Sequence, residues 1–348
     1  MDAHGFAVRS LFFLAMWGMS FAVAQSSSPI TLVNGNQQPE PILAHHSASD
    51  TVDVNQVREF TRAANFGDPA AQVELGVFLA RDRNNLSGAQ EAFQWFQRAA
   101  AEQSPPAMND LAVLYFEGRG VTRDPAAGLR WALRAAAYDF SPAEMNVGFA
   151  YWYGWGTAVD HTEGVRWFRK SAKHGFSVAQ CALGLLYETG AGVNKDLTEA
   201  AKWYGKAAKQ NNPAAMNNLA VLYEEGHGVP QDNAQAASLY ERAVNAGLLL
   251  AATNRARLSF TGTGVPRDAA AACYWMLLGE YADPLAAQYA DRLCGALPVS
   301  EQQVTRLRAS EWLQAHSSFV SPEQILAVTK NQLAFETSVV DQNQKGGH

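Results

Sequence analysis

Apolar residues recur along most of this chain at spacings of three and four. In "PAAMNNLAVLYEEGHGVPQDNAQAASLYERAVNAG", Met216, Leu219, Leu222 and Tyr223 share one helical face, and Ala236, Leu239, Tyr240 and Ala243 share another. The spacing predicts two helices joined by a Gly-x-Gly turn. A capping residue followed by proline opens the first helix, as in Ser141-Pro142, Asn212-Pro213 and Asp283-Pro284. The first Gly stops it, because a left-handed residue can bond the last carbonyls. An Asp further on starts the second helix, and Asp160/Glu163, Asp196/Glu199 and Asp232/Gln235 have the spacing of capping boxes.

The pattern repeats every 36 residues: Trp95, Trp131, Trp167, Trp203 and Trp275 keep that step, with Leu239 in the one missing slot. Ala71, Ala107, Ala143, Ala179, Ala215, Ala251 and Ala287 keep the same register. So do the glycine pairs from Gly118/Gly120 to Gly262/Gly264, and the aspartates Asp124, Asp160, Asp196, Asp232 and Asp268. Small residues at Gly76, Ala112, Gly148, Gly184 and Ala220 would let the two helices approach closely, opposite Ala92, Gly128, Gly164, Ala200 and Ala236. Such a hairpin cannot bury its apolar face alone and must stack on its neighbours. The expected class is all-α, a right-handed α-α superhelix (solenoid) of 36-residue helix-turn-helix repeats.

The unit "AQCALGLLYETGAGVNKDLTEAAKWYGKAAKQN", Ala179 to Asn211, resembles the Sel-1-like repeat, a relative of the tetratricopeptide repeat with a longer loop between its helices. The resemblance spans roughly Asp68 to Ala296. Departures mark its ends and its middle. The first unit has "ARDRNNLSG" where the glycines should stand, Thr157 replaces the loop Val of the third, and the sixth carries Arg255, Arg257 and Ser259 where others have Leu, Val and Tyr. The preceding half-unit "VNQVREFTRAANFG" matches a second helix only and is expected to cap the N-terminal end.

The chain therefore divides into an export signal (1–24), a Ser-, Gln- and Pro-containing leader (25–50), a capping helix (51–67), repeats (68–297), C-terminal capping helices (298–340) and a polar tail (341–348). The signal is read from the apolar run "SLFFLAMWGMSFAVA", too short to span a bilayer comfortably and ending in small residues at Ala22 and Ala24. That predicts a periplasmic or secreted protein with no integral membrane span after cleavage. A helix opened by Ser300 and Gln303 should lay Val304, Leu307 and Leu313 on the last repeat, and another should start at Ser321-Pro322.

Composition narrows the partners. Lys+Arg 27 against Asp+Glu 33 gives a net charge of −6, which argues against nucleic acid. Cys273 begins a second helix and Cys294 ends the next first helix, both in columns that face the core elsewhere. In an oxidising compartment these could form a bridge, the alternative being two buried thiols; Cys181 stays unpaired.

Candidate binding residues come from odd columns. Trp152, Tyr153 and Trp155 stand where other repeats have mainly polar or small residues, and Phe116 precedes Trp152 by one repeat. They predict an exposed aromatic patch for a partner, against the alternative that the rings fill local gaps. Glu188, Glu224 and Glu225 suggest an acidic stripe for a basic segment, or else a solvated face. His161 and His227 lie in separate loops without a second ligand, so no metal is expected, and no cofactor. No Gly-x-Ser-x-Gly, Ser-x-x-Lys or His-Glu-x-x-His occurs. The resemblance implies a non-catalytic adaptor or scaffold holding a protein or peptide on its concave face. A glycan-binding envelope protein, or less favourably a hydrolase of cell-wall or β-lactam substrates, is the alternative.

Overall fold

The computed structural model describes residues 54–316. The export signal, the leader with His45 and His46, the helix expected at Ser321-Pro322 and the tail lie outside the described residues. Within them are fifteen helices in two compact units, 54–207 and 208–316. The first holds α1 (Val54–Asn65), α2 (Pro69–Ala80), α3 (Leu86–Ala101), α4 (Pro105–Glu117), α5 (Pro125–Ala136), α6 (Ser141–Tyr153), α7 (His161–Lys173), α8 (Ser177–Thr189) and α9 (Leu197–Lys209), which ends at the boundary. The second holds α10 (Pro213–Glu225), α11 (Asn233–Asn245), α12 (Ala251–Thr261), α13 (Ala269–Gly279), α14 (Pro284–Gly295) and α15 (Val299–Ala315). No strand occurs among the described residues.

Each hairpin closes through its turn. Gly118, Gly154, Gly190, Gly226 and Gly262 all end first helices in the left-handed region, with φ from 67 to 79°, where a side chain would be strained. The second Gly of the turn is held by a close approach: a Cβ on Gly156 would come 2.3 Å from the Pro125 carbonyl oxygen. The aspartates cap as expected, Asp160 accepting from the Glu163 amide at 2.9 Å and Asp232 from the Gln235 amide at 2.9 Å.

The capping boxes are only half made. The Asp160 amide donates to the Tyr151 carbonyl at 2.8 Å, and those of Asp196 and Asp232 donate likewise to Tyr187 and Tyr223. That amide is spent on tying the second helix to the first, so Glu163 turns to Arg166 instead. Ser141 does not cap either: Phe140 holds the cap position, and the Ser141 carbonyl accepts from the Ser171 hydroxyl at 2.7 Å.

Small residues let the helices approach as expected: a Cβ on Gly164 would come 3.1 Å from the Gly148 carbonyl oxygen, and one on Gly128 3.0 Å from that of Ala112. In the first helices they also admit rings. A Cβ on Gly148 would lie 2.5 Å from the Phe168 ring, and one on Gly184 would lie 2.6 Å from Tyr204. Gly76 receives Phe96 in the same way. On the second helices of the first unit, Arg98, Arg134, Lys170 and Lys206 lie over Trp95, Trp131, Trp167 and Trp203. A cation three residues after a ring is its helical neighbour, so the tryptophan column carries a matching cation column.

The second unit ends in two features. In α15, Leu313, Ala309 and Thr305 are buried while Val304 and Leu307 are exposed, so the covering face is turned from the expected one. Pro298 rather than Ser300 stands at the cap, two residues earlier. Cys273 and Cys294 are bonded across α13 and α14, and Cys181 is a buried free thiol. Closing a 21-residue separation should make thiol reduction cost about 3 kcal/mol. We expect a lower denaturant midpoint in reductant, absent in Cys273→Ala/Cys294→Ala; an unchanged midpoint on reduction of the native chain would contradict this.

Candidate functional site

The six aromatic and acidic residues Phe116, Trp152, Tyr153, Trp155, Glu188 and Glu224 mark the ends of their first helices and the turns that follow, yet they are not a display. Trp155 is only 6% exposed and Phe116 only 5%. The Trp155 indole packs 5.3 Å from the Phe116 ring, 5.7 Å from Tyr153 and 6.1 Å from Phe149. Trp152 is half-buried, stacked 4.4 Å from the His161 imidazole and set against Gly164 and Gly192. Tyr153 is also half-buried; burial pushes its phenol up to about 12, and its oxygen has no hydrogen-bond partner. An exposed platform of rings is therefore corrected to a packed cluster with one half-open edge.

The acidic stripe is likewise built into the hairpins. Glu188 is buried and accepts from the Tyr204 hydroxyl at 2.5 Å. Glu224 accepts from the Tyr240 hydroxyl at 3.1 Å and from Arg257 at 2.6 Å. Glu225 faces the turn, 2.8 Å from His227 Nδ1.

These contacts share a rule. In three repeats the position sixteen residues further on supplies the partner: Phe168 lies 6.0 Å from Trp152, Tyr204 bonds Glu188 and Tyr240 bonds Glu224. Ring meets ring in one of them, and carboxylate meets phenol in the other two. Where Ala132 leaves room, the Phe116 ring lies against Gly128. The columns alone held this signal: tyrosine stands at 204 and 240 only where glutamate stands at 188 and 224.

A second polar cluster was not foreseen. Asp139, Glu144 and His174 bring their ligand atoms within 4.8 Å of one another, a set suited to a divalent cation. Lys170 already fills that place, its ammonium 3.0 Å from Asp139 and 2.9 Å from Glu144. Burial opposes the charge on Lys170, but the hydrogen bonds it donates to Glu144 and Asp139 outweigh it and raise its pKa. The reason lies in a column. Gln72 and Gln180 each donate to the carbonyl eight residues earlier, at Ala64 and Ala172. Glu144 stands in their place without a side-chain amide N–H, and Lys170 instead donates to the equivalent carbonyl of Ala136 at 3.4 Å.

A half-exposed row runs along first helices of the second unit. Ala214, Asn218, Val221 and Glu225 form one half-exposed face of α10, at spacings of four, three and four. One repeat later Leu250, Asn254, Arg257 and Thr261 continue it beside and along α12, with the Asn254 amide 3.4 Å from the Asn217 carbonyl oxygen. In the first unit the matching positions Asp110, Val113 and Asn146 are buried, and Asn146 donates to Asn109 at 2.9 Å.

The comparisons agree with this architecture. The Sel1 repeat model matches six consecutive segments, 69–104, 105–137, 141–176, 177–212, 213–248 and 249–279, more than half of the chain. The chain belongs to the Sel1 repeat family, whose members are all-α stacks of helix hairpins and generally serve as protein-interaction scaffolds. It is similar to a protective antigen present in uropathogenic Escherichia coli strains that displays an SLR fold, at 26% identity and a TM-score of 0.61, covering 82% of this chain and 64% of that one. It thus spans less than two thirds of that antigen. A Sel1 repeat protein from Oxalobacter formigenes is similar at 29% identity and a TM-score of 0.56, covering 73% of this chain and 99% of that one. None of the curated proteins compared matches the chain.

Proposed function

We propose that this chain is an exported, non-catalytic scaffold that holds a protein or peptide segment along its first-helix face, the concave side of such stacks. The observation that carries the reading is the half-exposed row Ala214, Asn218, Val221 and Glu225, continued by Leu250, Asn254, Arg257 and Thr261. Mixed apolar, amide and charged side chains in helical register suit an extended or helical polypeptide. Export is supported by the apolar run ending at Ala24 and by the Cys273–Cys294 bond, which belongs to an oxidising compartment. Among the described residues no helix is long and apolar enough to cross a membrane.

Val221→Lys should weaken capture of a partner from envelope extract at least tenfold, read by quantitative mass spectrometry of cross-linked eluates, without lowering the melting temperature. Gln235→Lys, at an exposed position off this face, should capture as the wild type does. Equal capture by both variants would remove the first-helix face from the proposal.

A further inference from the structure

The sixth repeat breaks the core column in a way that the scaffold reading does not use. Leu75, Leu111, Val147, Leu183 and Leu219 fill one position of their first helices, and Arg255 follows them. The Arg255 side chain is only 13% exposed. One of its terminal nitrogens donates to the Ser259 hydroxyl at 2.5 Å, and its guanidinium carbon lies 5.4 Å from the Trp275 ring centre. Its Nε has no hydrogen-bond partner; the nearest ion-pair oxygen, on Glu241, is 3.6 Å away. A buried guanidinium with an idle donor is costly unless something completes it.

Beside it is an open cavity of about 400 Å³ between α11, the start of α12 and the turn at Gly264 and Val265. Arg255, Arg242, Glu241, Ser238 and Asn245 line it, and Ala234, Ala237 and Val265 give its apolar lining. The tryptophan column has Leu239 here, so no ring underlies Arg242 as rings underlie Arg98 or Arg134. The Arg242 guanidinium keeps one bond, to the Ala208 carbonyl at 3.2 Å.

We infer that this cavity is a binding site for a monocarboxylate whose apolar part rests on Ala234 and Ala237. Two arginines face one carboxylate, Glu241, which leaves a single positive charge to be met. Arginine forks match planar carboxylates in two-point contact, and Ser238 and Asn245 add neutral donors at the rim. The volume suits a small molecule or the end of a peptide. A dianion such as phosphate fits worse, since Glu241 would repel its second charge. The site lies apart from the α10 face and does not depend on the scaffold reading.

The test is calorimetric titration of the full chain with N-acetyl-leucine, N-acetyl-leucinamide, an N-acetylated leucine-ending tripeptide and inorganic phosphate. N-acetyl-leucine should bind at sub-millimolar to millimolar concentration, the amide at least tenfold more weakly, and phosphate no better than the amide. Comparable or tighter binding of the tripeptide assigns the carboxylate to a peptide end; loss of binding on extension assigns it to a free acid. Arg255→Leu restores the residue of the other repeats, so it should fold at least as stably while losing N-acetyl-leucine affinity at least tenfold. Absence of binding to the wild type, equal binding by Arg255→Leu, or preference for phosphate would overturn the assignment.

Discussion

Trp155→Ala is expected to destabilise the first unit by about 3 to 5 kcal/mol, the range for removing a buried aromatic ring from a close-packed core. The indole is 6% exposed and touches rings from its own repeat, Phe149 and Tyr153, and from the preceding one, Phe116. Its loss leaves a void between two hairpins that backbone shifts can fill only in part, because Gly156 is pinned against Pro125. Trp152→Ala should cost less, since that ring is half-exposed and leans on His161 at the edge. Denaturant melts of both variants followed by far-ultraviolet circular dichroism measure the difference. A Trp155→Ala midpoint equal to wild type would mean that the ring does not hold the hairpins together.

Lys170→Met is the second large effect, about 3 to 5 kcal/mol, because it strips the ammonium from a carboxylate that is fully buried at Glu144. His174 remains 2.9 Å from the other oxygen, and it cannot also serve the Ala136 carbonyl that Lys170 reaches. The column of Gln72 and Gln180 names the rescue. Glu144→Gln in the Lys170→Met background supplies an amide proton to Ala136 and removes the buried charge together. The double variant should return to within about 1 kcal/mol of wild type, a strongly non-additive cycle. Equal or additive losses would show that Lys170 acts by packing on Trp167 alone.

The helices, their 36-residue step and the glycine stops were legible because each rests on local rules: apolar spacing, a left-handed terminator, an aspartate cap. The Cys273–Cys294 bond was legible as a possibility because antiparallel neighbours bring those two helix ends together. The candidate site was misread where a column was taken by itself. Polar residues at 188 and 224 suggested water, whereas their tyrosine partners sit sixteen residues on in another helix. The same error placed Trp155 outside, because Arg119, its equivalent, looks like a surface residue. Arg119 in fact folds back to donate to the Ala80 carbonyl of the preceding repeat, as Trp155 folds back onto Phe116. Interactions between helices set these environments, and a single column does not contain them.

The central claim is that odd residues in this repeat come as matched pairs that fill the hairpin. A double-mutant cycle on Glu188→Leu and Tyr204→Phe tests it, with unfolding free energies of the wild type, both single variants and the double. Each single change removes one end of the Tyr204–Glu188 hydrogen bond and keeps the other end buried, while the double removes both. The double should therefore be more stable than the two single losses combined imply, with coupling of about 1 to 3 kcal/mol. Simple additivity, within about 0.3 kcal/mol, would contradict the account.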